Sequence, residues 1–456
     1  MRLWHRSRRI VDPEIAPDEI FLDASNAPHF DRGRLEGRLE KPLSPQTFTW
    51  TLGMLGLLFM VLVGRAWNLQ VANGASFAAQ SAHNSLKVVT LFAPRGVIVD
   101  RNGTVIAENS QKDDGSVDRL YPYVSLSPIL GYVSYPKKDS QGNYYDTTET
   151  GVAGLEQAFN NMLAGSNGQI LTEMDVGGGV RSEGTIIPAK QGETLKLTVD
   201  AEMQQALWKA VSSTASAKRF LAGAGVVLDV HSGAIRAIVS YPSYDSNVMS
   251  DGSPAATIAS YSSNAGRPFY DHAVQGVYAP GSIVKPLVSA GALTDGLITP
   301  NTVINDPGFL SLPDPYHPGK TFIYKGWKAL GPVDVKKAIA WSSDVFFYTV
   351  GGGFGNQKGL GIDRLAYWYR SFGLGDTTNS GIPGEASGLI PTPEWKQQVF
   401  KEPWYLGDTY FTAIGQYSMQ VTPIQMARAI AAVANGGRLY APTVLAGHPP
   451  TFTNVP

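Results

Sequence analysis

Cysteine does not occur anywhere in the 456 residues. Its absence excludes disulfides and thiolate metal sites, and it suits a bacterial extracytoplasmic protein. A surplus of positive charge is lacking too. The chain has 37 basic and 38 acidic residues, a formal net charge of −1, which argues against a nucleic-acid-binding surface. No HExxH pattern is present, the seven histidines are scattered, and His317 near Asp314 is an isolated pair in a proline-rich loop. Neither a metal nor an organic cofactor is implied. Long apolar runs are also scarce, with one exception near the N-terminus.

That exception, Phe48 to Gly64, carries no charge. At about 1.5 Å per residue it extends roughly 25 Å as a helix, near the minimum for a bilayer core. Trp50 and Trp67 fall at the two expected interfaces. Arg32, Arg34, Arg38 and Lys41 precede the span, and only Arg65 closely follows it. This asymmetry predicts a cytoplasmic tail and an extracytoplasmic remainder. No polar stripe interrupts the run, as it would in a buried soluble helix, and no small-residue cleavage site stands out after it. Residues 1–47 mix charges with prolines, lack an apolar period and read as a mostly disordered tail. A chain of this length needs two or more domains.

The chemistry centres on Ala279-Pro280-Gly281-Ser282-Ile283-Val284-Lys285-Pro286. A serine three residues before a lysine shares a helix face with it, so hydroxyl and ammonium can meet if both sit in the first turn. Lysine can take the serine proton only if it is neutral part of the time, a state favoured by burial or a second cation. Gly281 permits a tight entry, and Pro286 is tolerated where its missing N–H belongs to the unpaired first turn. Ser282 is therefore expected at or just before a helix N-terminus, where backbone N–H groups can help hold an oxyanion. Taken alone, the spacing also fits a helix cap with a surface lysine. Ser134-Tyr135-Pro136-Lys137 shares it, but Pro136 at its centre makes that copy a loop.

The neighbourhood decides between these readings. Arg267-Pro268-Phe269, Gly276-Val277-Tyr278-Ala279-Pro280-Gly281-Ser282 and the small-residue helix Leu287-Val288-Ser289-Ala290-Gly291-Ala292 closely resemble the nucleophile region of class B penicillin-binding proteins. These are membrane-anchored D,D-transpeptidases that cross-link peptidoglycan. Ala93 to Ala107 resembles the start of their pedestal domain and reads independently as a hairpin turning at Asn102-Gly103. Arg95, Asp100 and Arg101 are taken there as structural ion partners. Only Glu108 to Leu120 stands where many elongation-type relatives carry a long head subdomain, so the pedestal is reduced. Gly151 to Glu156 fits the family's glycine-rich turn followed by Gly-Leu-Glu.

Further on, Leu195 to Asp200 alternates like a strand, and Asp200 can cap a helix from Ala201 to Ser212. Gly225–Val230 and Ala234–Val239 form a hairpin around His231-Ser232-Gly233, in which His231 is a turn residue. Helices dominate beyond Ser282, which predicts an α+β domain. The expected boundaries are a transmembrane helix over 48–66, a pedestal over 67–194 and a transpeptidase domain over 195–456.

The second motif is Ser342-Ser343-Asp344. The resemblance implies that Ser342 relays a proton between Lys285 and the leaving or entering amine, and that Asp344 helps fix Lys285 or the substrate backbone. A nearby carboxylate favours charged lysine, so Asp344 must be countered by burial or another cation. A helix-capping role is the plainer alternative for the serine. Segments from Phe372 to Met426 resemble the elongation-type branch, except that Tyr417 stands where relatives have glycine, which predicts a looser turn. The family's third motif, Lys-Thr/Ser-Gly, does not occur before Pro456, and Lys320-Thr321-Phe322 lacks the glycine. The chain is therefore read as C-terminally truncated, with its transpeptidase domain incomplete.

The resemblance implies a D,D-transpeptidase of cell-wall elongation with Ser282, Lys285, Ser342 and Asp344 as catalytic residues and no cofactor. Its implied partners are peptidoglycan stem peptides, β-lactams, the membrane and a SEDS-type glycosyltransferase. Two alternatives stand beside it. One is a scaffold for such a glycosyltransferase that does no chemistry, and the other is a serine β-lactamase, for which the anchor and pedestal would be unnecessary.

Overall fold

The computed structural model describes residues 45–83, 86–111, 117–174, 180–314, 317 and 319–456. Most of the expected tail and the loop at 112–116 lie outside them. The chain divides into two units, 1–85 with 174–179 and 86–173 with 180–456. In the first, the uncharged run forms the helix Pro45–Trp67. A π-helical turn, Asn68–Ala72, continues it, followed by the helix Gly74–His83. Among the described residues this is the one helix long and apolar enough to cross a membrane. Its leucines, methionines and phenylalanine point outward all round, an arrangement that suits lipid rather than water.

The second unit opens with two small sheets. One pairs Leu86–Leu91, Gly168–Met174 and Val180–Ile187; the other runs Leu195–Lys196, Ile98–Val99, Val105–Gln111, Val117–Leu120. The hairpin turn at Asn102-Gly103 forms as expected, with Gly103 at φ +92°. Asp100 Oδ1 accepts the N–H groups of Asn102 and Thr104, both at 2.8 Å. Its other oxygen accepts the N–H of Ala201 at 3.1 Å, tying the pedestal to the next helix. Of the three residues taken as ion partners, Asp100 thus holds backbone groups. Arg101 faces Asp200 at 3.8 Å, and Arg95 is fully buried against Glu156. Glu156 Oε2 accepts Arg95 Nε at 2.7 Å, while Oε1 accepts Arg119 Nε at 2.8 Å. The Gly-Leu-Glu motif therefore supplies one carboxylate to two buried guanidiniums.

Asp200 caps the helix Ala201–Lys218 by accepting the N–H of Met203. That helix backs the hairpin Gly223–Leu228 with Ile235–Tyr241. Buried Gln204 fits across the junction, donating to the carbonyl of Ile238 and accepting its N–H. His231 sits in the exposed turn, its backbone N–H on Asp229. Beyond it lie the helices Lys285–Thr294, Asp344–Gly352, Gly361–Ser371, Leu406–Ala413 and Pro423–Ala434. Their shared core includes Leu287, Phe346, Trp368 and Tyr410. Small residues on the first of these helices have a packing reason: a Cβ on Gly291 would lie 2.5 Å from the Trp368 ring. A hairpin that the sequence did not announce, Phe309–Pro313 with Thr321–Lys325, interrupts this half, nested inside the antiparallel pair Ile304–Asp306 with Gly331–Val333. The domain is α+β.

Candidate active site

Ser282 lies in a 3-10 turn, Gly281–Val284, that runs directly into the helix Lys285–Thr294. Gly281, at φ +62°, makes the entry, and its N–H donates to the carbonyl of Gly415 at 2.8 Å. Tyr278 and Val421 exchange both backbone hydrogen bonds at 2.9 Å. The nucleophile turn is thus held by a distant part of the chain. Gly415 must be small, because a Cβ there would meet the Gly281 carbonyl oxygen at 2.4 Å.

The serine hydroxyl is exposed, while Lys285 is only 1 % exposed. Their connection runs through the second motif. Ser342 Oγ donates to Ser282 Oγ at 2.9 Å and accepts from Lys285 Nζ at 3.0 Å. Nζ also donates to the Ser342 carbonyl at 2.9 Å and to Asp344 Oδ1 at 2.7 Å. Three acceptors match the three donors of an ammonium, so the geometry suits a charged Lys285. Burial pushes the Lys285 pKa down, and Asp344, with Asp306 behind it, pushes back. The net direction is downward. Burial therefore counters Asp344, as base chemistry at this lysine requires.

All four sequence-selected residues meet in this cluster. Two further residues complete it: Ser343, the middle residue of the second motif, and Asp306, which carries no obvious sequence signal. Ser343 caps the helix Asp344–Gly352 by accepting the N–H of Phe346 at 3.1 Å, and its hydroxyl donates to Asp306 Oδ2 at 2.5 Å. Asp306-Pro307-Gly308 looks like an ordinary turn in sequence, and only the fold brings it behind the second motif. Tyr417 does not loosen its turn as expected. It adopts φ +65°, a strain of about 1–2 kcal/mol for a residue with a Cβ, and its ring packs against Trp395 and Trp404 at 6.4 and 5.7 Å between centroids.

A serine linked through a second hydroxyl to a buried amine of lowered basicity is the equipment of an acyl-transfer enzyme that works through a covalent serine ester. Comparison with known proteins makes the class particular. Residues 223–450 match the penicillin binding protein transpeptidase domain, and residues 112–197 match the penicillin-binding protein dimerisation domain. The chain is 31% identical to the peptidoglycan D,D-transpeptidase MrdA of Haemophilus influenzae, covering 88% of this chain and 71% of that protein. Against MrdA of Escherichia coli K12 the identity is again 31%, covering 86% and 73%. Among solved structures, Pseudomonas aeruginosa PBP2 in complex with WCK 5153 superposes with a TM-score of 0.64 at 29% identity, covering 81% of this chain and 76% of that one. A peptidoglycan synthase complex in which polymerization and crosslinking are coordinated superposes with a TM-score of 0.68 at 27% identity, covering 90% and 82%. The chain belongs to the class B penicillin-binding proteins, the peptidoglycan D,D-transpeptidases of cell-wall synthesis.

Proposed function

We propose that Ser282 is the acylated nucleophile of this transpeptidase, with Ser342 and Lys285 as its proton path. The observation that carries the reading is the continuous Ser282 Oγ–Ser342 Oγ–Lys285 Nζ chain at 2.9 and 3.0 Å. When Lys285 is neutral its lone pair faces Ser342, and the chain runs in the accepting direction. Ser282 Oγ attacks the penultimate D-Ala carbonyl of a stem peptide and gives its proton to Ser342, which passes its own to Lys285. Collapse of the tetrahedral intermediate breaks the peptide C–N bond, and the departing D-Ala amine takes the proton back through Ser342. An amine from a neighbouring strand then attacks the serine ester, loses a proton along the same path and leaves with the acyl group. A β-lactam opens its ring C–N bond on the same hydroxyl, but its amine stays tethered and the ester persists. Asp344 orients Lys285 and sets how readily it holds its proton.

Fluorescent penicillin tests this directly. The membrane-extracted protein should be labelled at Ser282; Ser282→Ala should abolish labelling, and Lys285→Ala should slow it by about 10²–10⁴. Labelling that survives Ser282→Ala refutes the site. An intact wild-type protein that takes no label would favour the scaffold reading.

The proposed boundaries are a transmembrane helix over 48–66, a reduced pedestal over 67–194 and the transpeptidase domain over 195–456. The pedestal and helix are the proposed contacts for a SEDS-type glycosyltransferase, supported by the likeness to the synthase complex. The basic residues before the span favour a cytoplasmic N-terminus with Ser282 outside. Protease added to spheroplasts should cleave beyond Val71 and spare residues 1–40; the reverse pattern refutes this orientation.

A further inference from the structure

Ser342 stands between nucleophile and base in a left-handed conformation, φ +51°, which a residue with a Cβ adopts only when its surroundings impose it. The restraint lies one residue on. Ser343 is fully buried, and its hydroxyl is held by Asp306 Oδ2 at 2.5 Å while accepting the N–H of Phe346. Asp306 is 1 % exposed and fixed from several sides. Its Oδ1 accepts the N–H of Gly308 at 2.8 Å, its carbonyl accepts the N–H of Leu330 at 3.1 Å, and it pairs with Gly331 in the strand register. A carboxylate this deeply buried is costly, so its place here needs a use.

We propose that Asp306 is a positioning residue for the acylation step. By holding Ser343 it locks the left-handed Ser342 turn, so that the Ser342 hydroxyl stays between Ser282 and Lys285. The proposal rests on the reading of Ser282, Ser342 and Lys285 given above. A second effect follows from the same place in the fold. Lys285 is faced by Asp344 from the helix Asp344–Gly352, by the Phe347 ring of that helix at 5.4 Å and, at longer range, by Asp306 from the strand Ile304–Asp306. The Asp306 charge helps Lys285 keep its proton, against burial.

Two substitutions separate the two effects. Asp306→Asn removes the charge and leaves either the Ser343 hydroxyl or the Gly308 N–H facing an amide nitrogen that cannot accept it, whereas Ser343→Ala removes the hydroxyl and keeps the charge. The readouts, on the intact membrane-extracted protein, are the penicillin acylation rate against pH and the protonation midpoint of Lys285. The midpoint comes from NMR of protein carrying 13C at the lysine ε-carbon, assigned with Lys285→Arg. In Asp306→Asn the midpoint and the acid limb of the rate should both fall, by less than in Asp344→Asn because Asp306 acts on Lys285 from longer range, and the plateau rate should fall as well, because an amide nitrogen cannot accept the Ser343 hydroxyl. In Ser343→Ala the plateau rate should fall about 10–100-fold, the effect of a misplaced relay, and the midpoint should not fall. If Ser343→Ala does not fold, Ser343→Cys, similar in size and a weak donor, carries the same expectation. Wild-type acylation in the Ser343 variant, or an unmoved midpoint in Asp306→Asn, overturns the proposal. Because the midpoint is read without turnover, its outcome is distinct from the assignment of Ser282, which Ser282→Ala labelling tests.

Discussion

Two buried clusters in this chain share the same kind of parts, carboxylates against cations, and differ in which cation they use. In the pedestal, Glu156 is shared by Arg95 and Arg119, and a guanidinium does not give up its proton in a protein. That cluster serves as a fixed joint between the strand Val117–Leu120, the segment before Ile98 and the helix that carries Glu156. Beside Ser282 the cation is a lysine, whose proton can leave. Burial pushes its pKa down while Asp344 and Asp306 push it up, so its charge is adjustable. The contrast teaches that the choice between arginine and lysine decides whether a buried cation holds structure or moves protons.

Three substitutions can break or sharpen this contrast. The largest expected effect is at the fixed joint. Glu156→Ala would take the shared carboxylate from two buried guanidiniums, leaving Arg95 with Asn160 and backbone carbonyls and Arg119 with Asn109, and should cost about 3–5 kcal/mol of stability, measured by urea unfolding of the extracted protein. A loss below about 1 kcal/mol would mean that water replaces the carboxylate and the joint is not rigid. At the adjustable cluster, Asp344→Asn should alter the pH response more than the stability. In the proposed mechanism Lys285 acts in its neutral form, so acylation should be present above its folded pKa and lost as pH falls through it. Removing the Asp344 charge lowers that pKa further and should move the acid limb down by about one unit; an upward shift in the rate profile would contradict the assigned role. The smallest effect belongs to the cap between the two regions. Asp200→Ala should cost about 1 kcal/mol and leave the acylation profile where it was. A shifted profile would show that the pedestal and the catalytic cluster are coupled.

Where local chemistry dictates structure, the sequence was readable. Gly281 and Pro286 mark the entry to the nucleophile helix, Asp200 caps its helix, and Asn102-Gly103 turns its hairpin. Ser282, Lys285, Ser342 and Asp344, selected from motifs of fixed spacing, meet in one hydrogen-bonded cluster. What stayed hidden depends on long-range packing. Arg119 carries no local sign that it will join Arg95 on Glu156, and Asp306 gives none that it will hold Ser343. Tyr417 misled because its backbone requirement argued for glycine, whereas the structure meets it with tyrosine, set among Trp395 and Trp404. The direct Ser282–Lys285 contact suggested by helical spacing gives way to one bridged by the Ser342 hydroxyl.

The bond between Gly281 and Gly415, with the bridge between Tyr278 and Val421 beside it, has a consequence for folding order. Contacts between segments so far apart in the chain require closure of a long loop, whose entropy cost must be met before the contacts reward it. The helix after Ser282 can form early from its own residues, but the turn that presents the hydroxyl is completed only when the segment around Gly415 arrives. The reactive serine is therefore armed late: a chain that has emerged only as far as its second motif already carries Ser282, Lys285 and Ser342, and still lacks the surface against which the nucleophile turn is set.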